Sequence, residues 1–135
     1  MTEIYHPFAD LIGLKLIEYT DGVFVCSLPV TESLMNPNKV VHGGALYSLA
    51  DTGMGGAVYS SLSDGEYTAT IEIKISYFKP VSNGKVICKS KVINQGKRIV
   101  SLESELFVNR VIVAKATGSF AIFKADTKKE FKMTI

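Results

Sequence analysis

Residues 43–60 form a stretch that is apolar or small almost throughout and carries a single charge, at Asp51. Its glycines lower the intrinsic helix propensity, so tertiary packing must hold a helix here. A helix that is apolar nearly all round is typical of one enclosed by other elements. Small side chains recur where a sheet could approach the backbone, at Ala45, Ala50, Gly53, Gly56 and Ala57. The stretch therefore predicts a central, enclosed helix.

A strictly alternating pattern at residues 69–77 predicts a half-buried strand. The pattern assigns each residue to one of two faces. We expect the apolar face to hold Ala69, Ile71, Ile73, Ile75 and Tyr77, and the polar face to hold Thr70, Glu72, Lys74 and Ser76. Lys79 and Pro80 end the strand.

Three short turn signals follow this strand, at Asn83-Gly84, Gln95-Gly96 and Asn109-Arg110. They separate strand-like residues 85–94, 98–108 and 111–124, and connections this short cannot make parallel crossovers. We expect three successive hairpins, which form an antiparallel meander. Upstream, Asp21-Gly22 predicts a hairpin between residues 14–19 and 23–28, after a short helix at residues 7–12 and before a loop at residues 31–41.

The chain of 135 residues, 47% hydrophobic and 21% charged, fits one compact domain of the α+β class, with residues 125–135 as a polar tail. Its net charge of +2 is spread along the sequence, which argues against a nucleic-acid partner. Residues 40–63 could imitate a membrane span, but their glycines and central carboxylate favour a helix in a water-soluble protein. The first seven residues lack a signal-peptide pattern, which predicts a cytoplasmic location. Cys26 and Cys88 have no metal-ligand spacing and are expected to be reduced core thiols.

Two features of the helical stretch could carry chemistry. Asp51 is costly to bury without a partner, so it is either a hydrogen-bonded structural residue or a general base or nucleophile in a pocket. His42-Gly43-Gly44 precedes the helix, where backbone amides have no intrahelical partner. Paired glycines would let a ligand oxygen approach these amides, although His42 as a simple helix cap explains the motif equally well.

The combined order of Asn36, the His42-Gly43-Gly44 motif, Leu49-Ala50-Asp51, residues 73–80 ending in Tyr-Phe-Lys-Pro, and the turn at residues 96–98 is more specific. It resembles the hotdog-fold acyl-CoA thioesterases of the phenylacetate-degradation type, within the 4-hydroxybenzoyl-CoA thioesterase superfamily. The similarity extends over residues 8–123. It implies a hotdog fold, an antiparallel sheet wrapped around one long helix, and hydrolysis of an acyl-CoA thioester.

The resemblance also implies roles for individual residues. Asp51 would be the general base or nucleophile, and the amide of Gly43 would polarise the thioester carbonyl. Asn36 would place the water or the carbonyl, His42 would orient the loop, and the hydroxyl of Thr70 would assist the carboxylate. The family has glycine three residues after the asparagine, whereas this chain has Lys39, a difference that bears on the loop conformation and on the role of Asn36.

Other residues are candidates for substrate binding. Gly44 shares the helix start with Gly43, and Lys79, Lys97 and Arg98 lie at strand ends and turns where they could contact coenzyme A phosphates or be solvated charges. No metal ligands cluster in the sequence, and hydrolysis of a thioester requires no cofactor, coenzyme A being part of the substrate.

Geometry predicts that the site is shared between subunits. Asp51 lies eight residues after Gly43, roughly 12 Å along a helix and about 80° around it. One thioester carbon cannot contact both groups within roughly 3 to 3.5 Å, so they must come from different chains of a two-fold dimer. The resemblance implies the same homodimer, and often a homotetramer.

Two alternatives remain at this point. One is a non-catalytic module that binds acyl-CoA, although the carboxylate at Asp51 favours chemistry. The other is a hotdog dehydratase or hydratase, whose local signatures fit residues 49–53 poorly.

Overall fold

The computed structural model describes residues 5–124. The predicted tail at residues 125–135 lies outside the described residues. The helices are α1 (Pro7–Ile12) and α2 (Gly43–Tyr59), with one 3-10 turn at Glu32–Leu34. The strands are β1 (Lys15–Thr20), β2 (Val23–Pro29), β3 (Glu66–Tyr77), β4 (Lys85–Gln95), β5 (Ile99–Val108) and β6 (Val111–Lys124). The elements therefore lie close to the positions that the sequence predicts.

All six strands join one antiparallel sheet in the order β1-β2-β4-β5-β6-β3. The sheet wraps around α2, which contacts every strand. This confirms the predicted α+β class and the central helix. The turn at Asn109-Arg110 is a two-residue hairpin turn with φ values of 49° and 67°, as the sequence indicates.

The predicted hairpin between β3 and β4 is wrong. β4 pairs with β2 and β5, whereas β3 pairs with β6 at the edge of the sheet. Residues 78–84 form a connection between distant strands. The amide of Val30 donates to the carbonyl of Gly84 over 2.9 Å, and that of Val41 donates to the carbonyl of Val81 over 2.7 Å. Asn83-Gly84 thus makes a turn, but β4, which follows it, pairs with β2 and not with β3.

The strict alternation predicted for β3 is also wrong in its first half. Thr70 pairs with Phe120 and Glu72 with Ser119, so Ile71 is an unpaired bulge residue. Ile71 is 54% exposed. An inserted residue shifts the side-chain alternation, and Thr70 therefore shares the helix-facing side of β3 with Ile73, Ile75 and Tyr77.

Two glycines, which have no side chain, let α2 lie close to the sheet. A Cβ atom at Gly53 would collide with Ser90, and one at Gly56 would collide with the ring of Phe24. These two glycines have a packing reason, as predicted.

Within this single chain the helix is enclosed only on the sheet side, which corrects the prediction of full enclosure. Leu49, Met54 and Val58 are fully buried, whereas Asp51 is only partly buried and Tyr59 is 70% exposed. One flank of α2 is therefore uncovered in the single chain.

The two cysteines are neighbours in the core. Both are free and fully buried, and Cys26 lies opposite Cys88 in the pairing of β2 with β4. Hydrogen bonding with Cys88 and burial raise the pKa of the Cys26 thiol well above its usual range. Reduced core thiols were predicted, but their direct juxtaposition was not.

Candidate functional site

The start of α2 is capped by His42. Its Nδ1 accepts a hydrogen bond from the amide of Gly44 over 2.8 Å, and its backbone is extended, with φ −58° and ψ 134°. The cap interpretation of the motif is thus confirmed. It also occupies the amide of Gly44, which is then not available to a substrate. None of the hydrogen bonds among residues 5–124 uses the amide N–H of Gly43.

Tyr77, the last residue of β3, contacts this helix start. Its hydroxyl donates a hydrogen bond to the carbonyl of Gly43 over 2.8 Å. Both residues border an open cleft of about 370 Å³ whose walls are mostly apolar. The other residues of its lining are Val40, Val41, Leu46, Phe78, Lys79, Pro80 and Val81. The cleft therefore combines a helix N-terminus with an apolar wall and one cation.

Asp51 lies on the uncovered flank of α2, two turns after Gly43. The hydroxyl of Thr70 on β3 donates to its carboxylate over 2.8 Å. The bulge at Ile71 makes this contact possible because it turns Thr70 toward the helix. The structure thus brings Thr70 and Asp51 together, while the continuous helix keeps Gly43 of the same chain roughly 12 Å away.

Asn36 organises the loop before α2. Its side-chain oxygen accepts from the amides of Asn38, over 2.8 Å, and Val40, over 3.4 Å. Lys39 has a φ of 61°, in the left-handed region that glycine adopts without strain. The departure from glycine at this position therefore leaves the tight turn intact. Asn36 retains only its NH₂ group for a ligand.

The candidate cations lie at two ends of the sheet. Lys79 borders the cleft beside Tyr77. The backbone carbonyl of Arg98 accepts a hydrogen bond from the amide of Ile122, a residue that pairs with Thr68 near the other end of β3. Nine residues of strand separate Thr68 from Tyr77, roughly 30 Å. A single chain thus does not bring Lys97 and Arg98 to the cleft that Lys79 borders.

Tyr77 is the residue that sequence reasoning missed. The alternation predicted its position on the helix-facing side of β3, but the pattern gave its ring no role beyond packing. A hydroxyl on the last residue of a strand, where the sheet ends beside a helix start, was the available signal.

Residues 5–124 contain no group of three or more His, Cys, Asp or Glu side chains placed to hold a metal ion. In the same part of the chain, neither helix is long and apolar enough to cross a membrane.

Comparisons with known proteins agree with this architecture. The family model of the thioesterase superfamily matches residues 38–113. The acyl-coenzyme A thioesterase PaaI of Escherichia coli is 30% identical over 122 residues, which cover 90% of this chain and 81% of that protein.

Two solved structures extend the likeness to the whole fold. A conserved protein of Pseudomonas aeruginosa has 37% identity and a TM-score of 0.84, covering 87% of this chain and 94% of its own. A mutant of the phenylacetic acid degradation protein PaaI of Thermus thermophilus has 25% identity and a TM-score of 0.80, covering 86% and 98%.

Proposed function

This chain belongs to the thioesterase superfamily and is a thioester hydrolase with the hotdog fold, and on that premise we propose that it hydrolyses acyl-CoA to a free acid and coenzyme A. Asp51 is the general base or nucleophile, and the amide of Gly43 from the partner subunit is the oxyanion donor. The observation that carries this proposal is the Thr70 hydrogen bond to Asp51 on the uncovered flank of α2. This contact fixes a carboxylate that is only partly buried in the single chain, where a ligand can reach it.

The helix start supplies the electrophilic half of the mechanism. The amide N–H of Gly43 points from the positive end of α2 and has no partner among the described hydrogen bonds. A thioester oxygen that accepts from it gains stabilisation as negative charge develops in the transition state. Glycine leaves the amide accessible, and the cap at His42 fixes the first turn.

Asp51 supplies the other half by one of two routes. As a base it takes a proton from water, the oxygen adds to the thioester carbon, the C–S bond breaks, and the thiolate leaves and is protonated. As a nucleophile its oxygen attacks the carbon, the thiolate leaves, and water then hydrolyses the resulting anhydride. Thr70 holds the carboxylate in either route. Neither route needs a metal or a cofactor.

The position of β3 supports a shared site. Within residues 5–124, β3 is an edge strand, with one side unpaired. Antiparallel pairing of two β3 strands across a two-fold axis would direct the Tyr77 end of one, beside Gly43, toward the half of the other that carries Thr70. The same pairing would bring Lys79 toward Lys97 and Arg98 of the partner subunit. We therefore propose a homodimer, assembled further into a homotetramer, in which these cations contact the coenzyme A phosphates.

Two loop residues complete the proposed site. The NH₂ group of Asn36 places the attacking water or the carbonyl, since its oxygen is held by the loop. His42 keeps the helix start in place through its cap. We propose no direct substrate contact for the amide of Gly44.

Thiol release from a panel of aryl, short-chain and long-chain acyl-CoAs tests the proposed function. We expect turnover on at least one substrate, and a loss of about 10²-fold or more in Asp51→Asn with the fold retained. Asp64→Asn, which changes an exposed carboxylate after α2, is the matched control. Full activity in Asp51→Asn would reject the assigned role.

The panel also separates the alternatives. Binding of acyl-CoA without thiol release on any substrate would favour the non-catalytic module. A change in the acyl double bond without thiol release would favour a dehydratase or hydratase.

A further inference from the structure

The peptide group between Gly43 and Gly44 is held at both ends by side chains. At its oxygen, the Tyr77 hydroxyl donates over 2.8 Å, and at its nitrogen, His42 Nδ1 accepts over 2.8 Å. His42 belongs to the loop before α2, whereas Tyr77 comes from the end of β3. One peptide in the first turn of the helix is therefore fixed by two elements far apart in sequence.

The ring of Tyr77 adds a steric constraint. A Cβ atom at Gly43 would lie 3.1 Å from both Cζ and the hydroxyl oxygen of Tyr77, closer than ordinary van der Waals contact. The ring thus occupies the side of Gly43 where a side chain would stand. The amides of Phe78 and Lys79 both donate to the carbonyl of Val113, which anchors the segment just after Tyr77.

We propose that Tyr77 is a positioning residue for the hydrolysis, which holds Gly43 so that its amide N–H faces the substrate carbonyl in the cleft. This inference rests on the proposed function. The held peptide adjoins, through the Cα atom of Gly43, the peptide that carries this N–H. A donor held rigid in this way needs no reorganisation when charge develops on the carbonyl oxygen. Tyr77 itself contacts the backbone and takes no part in bond breaking.

The hydroxyl of Tyr77 is suited to this task. Partial burial raises the pKa of Tyr77 above its usual value, and electrostatic interaction with the neighbouring Tyr47 adds to this increase. The phenol therefore keeps its proton and remains a donor to the Gly43 carbonyl at neutral pH.

Tyr77→Phe tests the proposal because it removes one oxygen and keeps the ring. We expect kcat to fall about tenfold with KM within about twofold, the pattern for an interaction made mainly in the transition state. Tyr19→Phe is the control, since Tyr19 lies on β1, at the opposite edge of the sheet from β3, where it packs edge-on against Phe24. Melting temperatures of both variants check that the fold is retained.

A second measurement reads the carbonyl directly. We would bind a ketone analogue of acyl-CoA, with CH₂ in place of the thioester sulfur and ¹³C at the carbonyl, and record its infrared stretch. We expect a red shift in wild type that shrinks in Tyr77→Phe and persists in Tyr19→Phe. An unchanged kcat and an unchanged stretch in Tyr77→Phe would overturn the proposal while leaving the hydrolase intact. Absence of thiol release in wild type would instead count against the proposed function, and the infrared shift would still test Tyr77.

Discussion

Thr70 donates a hydrogen bond to the carboxylate of Asp51 over 2.8 Å, although simple alternation along β3 would turn Thr70 away from the helix. The bulge at Ile71 reconciles the two. Bulges commonly redirect a side chain beside a functional site, and here the redirected side chain is a hydroxyl. The bulge at Ile71 is therefore explained by the contact that it gives Thr70, and packing of the core alone does not require it.

Replacing Thr70 by valine should lower kcat about tenfold, because the isosteric change removes the donor that orients Asp51. Thr70→Ser retains the hydroxyl and should stay close to wild type. In an Asp51→Asn background, Thr70→Val should have little further effect, since both residues act through one contact. Steady-state kinetics of wild type, Thr70→Val, Asp51→Asn and the double variant would show this. Fully additive losses would contradict it.

Gly43→Pro should abolish most activity without unfolding α2. Proline at the first helical position removes an amide that the helix does not use, and the extended backbone of His42 suits a residue before proline. Its Cβ atom would press on the Tyr77 ring, as the Cβ atom of alanine would. Gly43→Ala introduces a Cβ but keeps the N–H, so it is the matched control. A much smaller loss in Gly43→Ala than in Gly43→Pro would assign the effect to the amide.

Mixing Gly43→Pro with Asp51→Ala should restore activity. In a heterodimer, one of the two sites would combine the intact Gly43 of one chain with the intact Asp51 of the other. Random exchange should therefore recover about a quarter of the wild-type rate per chain. If the subunits exchange and no activity is recovered, the site is not shared between two chains.

Lys39→Gly should stabilise the fold by about 1 kcal/mol, because glycine adopts the observed φ of 61° without the steric cost that lysine carries. Lys39→Ala keeps that cost and serves as the control. Urea denaturation would measure both free energies of unfolding. Equal stabilisation in the two variants would show that loss of the lysine charge, and not relief of strain, is responsible.

Two neighbouring glycines of α2 should respond in opposite ways. A Cβ at Gly55 would contact only Phe120, at 3.7 Å, so Gly55→Ala should raise the free energy of unfolding by about 0.5 to 1 kcal/mol. A Cβ at Gly56 would collide with the Phe24 ring, so Gly56→Ala should cost about 1 to 3 kcal/mol. Thermal melts of the pair would show opposite shifts, and shifts of the same sign would contradict the packing described.

The thiols of Cys26 and Cys88 should resist modification in the folded protein. Both are fully buried, so a reagent in solution cannot reach either sulfur while β2 and β4 stay paired. An aromatic disulfide reagent should release little chromophore under native conditions and two equivalents per chain in urea. Rapid native labelling would reveal an opening between β2 and β4.

The sequence predicted most elements of the fold but not all of their pairings. Asn109-Arg110 specifies a two-residue turn whose flanking strands, β5 and β6, pair directly with each other. Asn83-Gly84 also specifies a turn, but the strand after it pairs with β2 through contacts distant in sequence. Such pairings depend on how the whole sheet closes around α2, which a local signal does not encode.

The site was predictable where chemistry is local. His42 capping Gly44 follows from their spacing, whereas the contact between Thr70 and Asp51 was implied only by the family resemblance. Asn36 was expected to place the water or the carbonyl, but its side-chain oxygen is held by the amides of Asn38 and Val40, which leaves only its NH₂ group for that role. The Tyr77 contact with Gly43 joins residues 34 positions apart, and no periodicity in either segment reports it.

Ser90 and Phe24 stand where side chains at Gly53 and Gly56 would have to fit. At these two positions the inner surface of α2 therefore admits no larger side chain unless the sheet shifts. At Gly55, on the opposite surface, an added Cβ atom would meet only an ordinary van der Waals contact. The helix can therefore vary at positions such as Gly55, whereas the proposed site fixes Asp51 and the sheet fixes Gly53 and Gly56.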